Sequence, residues 1–187
     1  MIRVFNINRI SVSEDKLEKW FNNFPNVLKE RIDKKGNIEK RKVSIIGYAM
    51  LQRLIKRRTL PLITFNENGK PYIEGRRYFN ISNSGDMIAI AYSWQEVGVD
   101  IQKIFDYDER LANRICSESE LEELKRAENK NEFLTRLWTI KESIVKCEGQ
   151  SLAQDLKKIN MDKTKYKFKC KRIGEYYLTL CKKLNLE

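Results

Sequence analysis

Val97-Gly98-Val99-Asp100-Ile101-Gln102-Lys103 is the stretch on which the reading of this chain turns. Apolar side chains stand on both of its faces, the pattern of a strand covered on two sides, and Asp100 is the exception. A carboxylate held between Val99 and Ile101 is costly to desolvate unless something meets it. Just upstream, Met87-Ile88-Ala89-Ile90-Ala91-Tyr92 is a second apolar strand, and Ser93-Trp94-Gln95-Glu96 between the two makes a hairpin the expected connection. Upstream again, Tyr78-Phe79-Asn80-Ile81-Ser82-Asn83-Ser84-Gly85 is a short strand running into small polar residues.

Downstream, Ser117-Glu118-Ser119-Glu120 has the spacing of a capping box and opens a helix. A second helix is expected from Asn131 to Cys147. Phe133, Leu137, Ile140 and Ile144 form its apolar stripe, and Gly149 is placed to end it. Trp138, Glu142 and Lys146 recur at i, i+4 and i+8 and share a different face. Tyr166, Phe168 and Cys170 alternate with lysines ahead of Ile173-Gly174-Glu175 and Tyr176-Tyr177-Leu178-Thr179-Leu180, a hairpin whose lysines face water. At the other end, an opening strand over residues 2–10 precedes a helix that starts at Ser13 and stops at Pro25. Val43, Ile46, Gly47, Met50, Leu51, Leu54 and Ile55 mark a helix of about four turns in which Gly47 permits close packing. Asn66-Glu67-Asn68-Gly69-Lys70-Pro71 is a loop leading into Tyr72-Ile73.

The length of 187 residues suits one substantial domain or two small similar ones. A formal charge of +11 and a pI near 9.5 point to an anionic partner or substrate. Histidine is absent, which excludes Ser-His and Cys-His hydrolases and His-dependent metal sites. Four cysteines without a CxxC pair read as reduced structural thiols. No apolar run has spanning length and no secretory signal opens the chain, so the expected setting is the cytoplasm. Carboxylates, lysines or a metal must then carry any chemistry. Asp100 and Glu142 together suit a hard cation, with the Gln102 amide oxygen on the same strand face, and magnesium fits that donor set best. On spacing alone, a capping role for Asp100 and an exposed Glu142–Lys146 pair stay open as alternatives.

Four segments taken in order resemble the signature of the Sfp-type phosphopantetheinyl transferases. They are Gly69-Lys70-Pro71-Tyr72, Phe79 to Gly85, Val97 to Lys103, and Trp138-Thr139-Ile140-Lys141-Glu142-Ser143-Ile144-Val145-Lys146-Cys147-Glu148-Gly149. The resemblance implies an α+β fold of two similar halves, residues 1–95 and 96–187, related by a pseudo-two-fold axis, each a small antiparallel sheet with a long helix. It implies a monomer that moves the phosphopantetheine arm of coenzyme A onto a serine of an acidic apo acyl or peptidyl carrier protein. Adenosine 3',5'-bisphosphate leaves, and magnesium sits on the pyrophosphate. Asp100, Gln102 and Glu142 would be metal ligands, with Glu142 also helping to deprotonate the serine and Lys146 assisting the leaving group. Gly69, Lys70, Pro71, Ser82, Asn83, Ser84 and Lys141 would contact the coenzyme, Lys29 and Arg31 are candidates for its 3'-phosphate, and Arg41 or Lys42 would serve as the coenzyme-binding arginine expected just before the helix around Gly47.

Two residues depart from that pattern. Asn83 stands where the family has histidine and brings no positive charge, and Gln102 replaces the second carboxylate of the DxE element. Two other readings follow from the residues: a degenerate member that binds coenzyme A or a carrier protein without turnover, and a basic nucleic-acid-binding module centred on residues 29–58. Neither nucleic acid nor membrane is the partner the motifs favour.

Overall fold

The computed structural model describes residues 1–73, 77–150, 156–159, 161–162 and 164–184. The chain runs through β1 (Ile2–Asn6), α1 (Glu14–Asn22), α2 (Asn26–Asp33), α3 (Ile38–Leu54), β2 (Ile63–Phe65), β3 (Pro71–Ile73), β4 (Arg77–Ser84) and β5 (Met87–Ser93). It continues with β6 (Val97–Lys103), α4 (Glu109–Ile115), α5 (Glu118–Arg126), α6 (Lys130–Glu148), β7 (Tyr166–Ile173) and β8 (Tyr176–Lys183). The strands make two antiparallel sheets, ordered β1-β5-β4-β3-β2 and β6-β8-β7. The architecture is α+β, and each sheet has its own long helix, α3 or α6.

Strand alternation decides the layering. Phe79, Ile88 and Ile90 face α1, α2 and α3 and close a core with Leu28, Ile32, Ile46 and Leu51. The opposite residues of the same sheet, Ala89 and Ala91 with Ile2 and Val4, lie on Val97, Val99, Ile101 and Leu178 of the second sheet. Small alanines at the centre let the two sheets approach. On the far side of the second sheet, Ile140, Ile144 and Cys147 of α6 pack with Cys181 and partly buried Phe168 and Cys170. The order of layers is therefore helices, sheet, sheet, helix.

Local signals hold well. Ser13 caps α1 through Lys16 N–H, Ser117 and Glu120 make the capping box of α5, and Gly149 ends α6 in the left-handed region at φ 66°. Gly47 lies against β4, where a Cβ would stand 3.3 Å from Ile81. The tail hairpin forms with Lys165, Lys167, Lys169 and Lys171 exposed. The four cysteines are free thiols, and burial raises that of Cys116 to about 11.

Three expectations are corrected. The opening strand stops at Asn6 and gives way to a 3-10 turn over Ile7–Arg9. Pro25 does not end a helix but supplies the N-terminal flank of α2, which the dense basic sequence conceals. β5 and β6 do not pair: β5 lies between β1 and β4, while β6 pairs with β8, so residues 94–96 carry the chain from one sheet to the other. Both strands are apolar on both faces because each is sandwiched, and such strands carry no mark of which neighbour they hydrogen-bond. Among the described residues no helix is long and apolar enough to cross a membrane.

Gly98 is where the second sheet meets α6 backbone to backbone. A Cβ there would fall on the Ser143 carbonyl oxygen and stand 2.5 Å from the Cys147 amide nitrogen. Neither is a flexible group that can yield. Gly98→Ala should cost upwards of about 3 kcal/mol by forcing helix and strand apart, read as a lower urea midpoint and a loss of soluble protein.

Candidate active site

Asn129 caps α6 by accepting from Glu132 N–H, and the helix then presents Glu142 and Lys146 one turn apart toward β6. Because Gly98 lets the two elements touch, Asp100, two residues along β6, comes under that turn. The Lys146 ammonium lies 2.6 Å from Asp100 Oδ1 and 3.9 Å from Glu142 Oε2, so both carboxylates gather about one cation. The Ser82 hydroxyl donates to Asp100 Oδ1 at 2.7 Å and accepts from Lys146 at 3.3 Å. Asp100 is 4% exposed and Glu142 6%. Burial holds both carboxyls above their ordinary range against the pull of Lys146, and at Glu142 the neighbouring Asp100 adds to the rise.

One atom stands out. Asp100 Oδ2 is, among the described residues, the buried side-chain polar atom left without a hydrogen-bond partner. A buried anionic oxygen with nothing on it is costly, and a hard cation is the partner its chemistry suits. The donor set is lean: among the described residues no three His, Cys, Asp or Glu side chains gather around one point. Two carboxylates fit magnesium, which completes its shell with waters and substrate phosphates. The Gln102 amide nitrogen donates to the Lys103 carbonyl at 3.3 Å along the strand.

The other expected residues divide. Ser82 and Ser84 face β6 and accept from its backbone: Ile101 N–H donates to Ser82 Oγ at 3.3 Å and Lys103 N–H to Ser84 Oγ at 3.0 Å. Asn83, on the opposite face, is exposed. Lys70 turns its ammonium onto the Cys147 carbonyl at 2.5 Å, and Asn66 donates to the Gly149 carbonyl at 3.1 Å, so this turn is clamped to the end of α6. Burial lowers the Lys70 pKa. Gly69 and Pro71 flank that clamp, and Arg31 donates to the Gly69 carbonyl at 2.9 Å while stacking on Phe65.

The expectation for Lys141 is corrected. It is wholly buried, paired with Glu120 at 2.6 Å and bonded to the Ile115 and Leu156 carbonyls at 2.6 and 3.0 Å, so all three ammonium hydrogens serve the packing of α5 on α6 and none is left for a coenzyme. Arg41 is corrected too: it pairs with Glu18 at 2.7 Å and Asp33 at 3.2 Å and ties α3 to α1 and α2. Between α2 and the β2–β3 turn lies a cavity of about 340 Å³ lined by Arg31, Lys34, Phe65, Asn66 and Gly69, with Glu30 and Glu67 on its rim. Lys29 is not on that face of α2. Lys34, three residues beyond Arg31, is, and helical spacing from Arg31 is the signal that points to it. Burial, then Arg31 and Lys40, lower the pKa of adjacent Lys35, a sign of crowded cations.

Residues 96–183 match the 4'-phosphopantetheinyl transferase superfamily. The chain is 32% identical over 127 residues to 4'-phosphopantetheinyl transferase gsp of Aneurinibacillus migulanus, covering 64% of this chain and 54% of that protein. It is 35% identical over 94 residues to the Sfp enzyme of Bacillus subtilis strain 168, covering 48% and 42%, and 38% identical over 117 residues to AcpT of Salmonella typhi, covering 59% and 60%. The chain thus spans about half the length of the curated relatives it matches. The crystal structure of Thermotoga maritima holo-[acyl-carrier-protein] synthase aligns at 17% identity and a TM-score of 0.41, over 46% of this chain and 61% of that one. These matches make the C-terminal half of the chain similar to the 4'-phosphopantetheinyl transferase superfamily. The Sfp enzyme is among the proteins it resembles, in keeping with the four motifs.

Because the folded-state pKa values of Asp100 and Glu142 lie above their unfolded values, the pair favours the fold at low pH, and that contribution is lost as pH rises from the ordinary carboxylate range through the raised values. Lys146 offsets the loss. In metal-free Lys146→Met protein the melting temperature should drop more between pH 5 and pH 8 than in the parent, by several degrees, as differential scanning calorimetry at the two pH values will read.

Proposed function

We propose that the chain transfers the phosphopantetheine arm of coenzyme A to a serine of an apo acyl or peptidyl carrier protein, releasing adenosine 3',5'-bisphosphate. The observation that carries this reading is the buried Asp100–Lys146–Glu142 group with Asp100 Oδ2 unpartnered. Asp100 and Glu142 would hold a magnesium ion, which when bound supplies positive charge to offset the negative charge developing on the pyrophosphate oxygens. Lys146 is shared between the two carboxylates, and the same ammonium is placed to donate to a substrate phosphate.

Glu142 suits a general base. Burial raises its proton affinity above that of an ordinary carboxylate, toward the range where a base works near neutral pH. The carrier serine oxygen forms a bond to the phosphorus of the pantetheine phosphate, and its proton passes to Glu142 directly or through a water. The bond from that phosphorus to the bridging oxygen breaks, with Lys146 donating to the departing phosphate. No histidine is required. In this reading residues 1–95 hold the nucleotide and residues 96–187 the reacting diphosphate, with the 3'-phosphate at the cavity bearing Arg31 and Lys34.

The partner should be acidic. A chain of +11 attracts coenzyme A and an acidic carrier protein, rather than recruiting nucleic acid or a membrane, and the rate of encounter should fall as salt rises. We read the enzyme as a cytoplasmic monomer. Asn83 and Gln102 favour one second reading, a member that binds coenzyme A or carrier protein without turnover, and a single assay separates the two.

Incubation with coenzyme A, magnesium and an apo carrier protein should add the mass of the arm to the carrier, and removal of the divalent ion by chelation should stop it. Binding of coenzyme A without a mass change supports the second reading. Asp100→Ala and Glu142→Ala should each lower kcat/KM at least about a hundredfold with the circular dichroism spectrum unchanged; near-normal turnover in both sinks the metal assignment. Arg31→Ala and Lys34→Ala should each raise the KM for coenzyme A about tenfold and leave that for 3'-dephospho-coenzyme A unmoved, as initial rates on the two substrates will show.

A further inference from the structure

β6 is hydrogen-bonded to a strand on one side alone. In the order β6-β8-β7 its other edge carries the N–H groups of Val99, Ile101 and Lys103, which point away from β8. Val99 and Ile101 are buried, and orphaned donors there would cost heavily. Each donor is met by a side chain of β4. Val99 N–H donates to Asn80 Oδ1 at 2.9 Å, Ile101 N–H to Ser82 Oγ at 3.3 Å, and Lys103 N–H to Ser84 Oγ at 3.0 Å. The two strands run the same way with a constant offset of 19 residues, so one alternate row of small polar side chains replaces a row of backbone carbonyls.

Ser82 sits at the middle of that row and does more than its neighbours. Its hydroxyl hydrogen goes to Asp100 Oδ1 at 2.7 Å while its oxygen accepts from Ile101 N–H and from Lys146. Donor and acceptor capacity are both used, which an aliphatic side chain cannot imitate and a second hydroxyl can. Holding Oδ1 this way leaves Oδ2 as the free oxygen of the carboxylate.

We propose that Asn80, Ser82 and Ser84 form a side-chain ladder that docks β6 on β4, and that Ser82 is through it a positioning residue for Asp100, fixing which carboxylate oxygen is offered to the metal. This rests on the transfer reading for the role of Asp100, and goes beyond it in giving Ser82 work that is neither ligand contact nor chemistry.

Two measurements on the full chain test it. Amide hydrogen exchange, read residue by residue by NMR on metal-free protein, needs no activity. Ser82→Ala should speed exchange at Ile101 about tenfold and leave Val99 largely protected, whereas Ser84→Ala should speed Lys103 alone. Steady-state transfer at varied magnesium then reads the positioning. Ser82→Ala should raise the half-saturating magnesium concentration about tenfold with the KM for coenzyme A little changed, and Ser82→Thr should restore both the protection and the magnesium response. If Ser82→Ala does not fold, Ser82→Cys, which keeps the shape and weakens both hydrogen bonds, takes its place in both experiments.

Unaltered protection at Ile101 overturns the ladder. Unaltered magnesium response, or a rise chiefly in the KM for coenzyme A, overturns the positioning role and returns Ser82 to ligand contact. If the parent protein transfers nothing, the proposed function falls, and the exchange measurement still decides the ladder.

Discussion

The structure depends on one absent side chain. At Gly98 the second sheet and α6 come so close that the Ser143 carbonyl and the Cys147 amide occupy the space any Cβ would need. From that contact the rest follows by periodicity. Two residues along the strand, the same face of β6 carries Asp100. On the helix, Glu142 and Lys146 lie beside Ser143 and Cys147 and so hang over it. A glycine and an aspartate two apart thus build the site together, the first by closing the distance between strand and helix and the second by placing a carboxylate in the space so narrowed.

Two lysines five residues apart on α6 show how burial sorts similar groups into different roles. Lys141 is sealed, and a carboxylate and two carbonyls account for its hydrogens, so it is a satisfied structural charge whose loss would leave Glu120 unpaired. Lys146 is partly exposed and is shared between two carboxylates and a serine, one of those carboxylates keeping an oxygen with no partner. The first arrangement is closed. The second keeps a buried oxygen without a partner beneath a lysine that is itself partly exposed, which is what distinguishes it from a closed core pair.

Sequence alone reveals what is local. The capping box at Ser117, the stop at Gly149, the tail hairpin and the close packing at Gly47 are written in a few adjacent residues whose backbone needs are unmistakable. It also marks Asp100, because a carboxylate in an apolar strand is an anomaly, whereas the i, i+4 pair of Glu142 and Lys146 is ordinary on a helix and only the motif resemblance points to it. What it hides is who lies next to whom. The pairing of β6 with β8 rather than β5, the burial of Lys141 and the tie of Arg41 to Glu18 and Asp33 depend on neighbours distant in the chain. Alternation in Asn80-Ile81-Ser82-Asn83-Ser84 says that one face is polar, but not that a strand edge covers it.

The last turns of α6 are held from two sides, and this bears on how the site keeps its shape. Over Ser143–Cys147, close to its C-terminal end, α6 rests on β6, which the polar row of β4 holds from the other side. At its C-terminus Lys70 and Asn66 bind the Cys147 and Gly149 carbonyls, where the helix dipole and unpaired carbonyls favour a cation and a donor. The turn that supplies them also carries Gly69, whose carbonyl holds Arg31 against Phe65 at the cavity. The basic cavity and the carboxylate pair are therefore joined through a short run of side-chain-to-carbonyl hydrogen bonds at the end of one helix. A ligand long enough to touch both would find its two binding ends already set in register, and little ordering would remain to be done when it arrives.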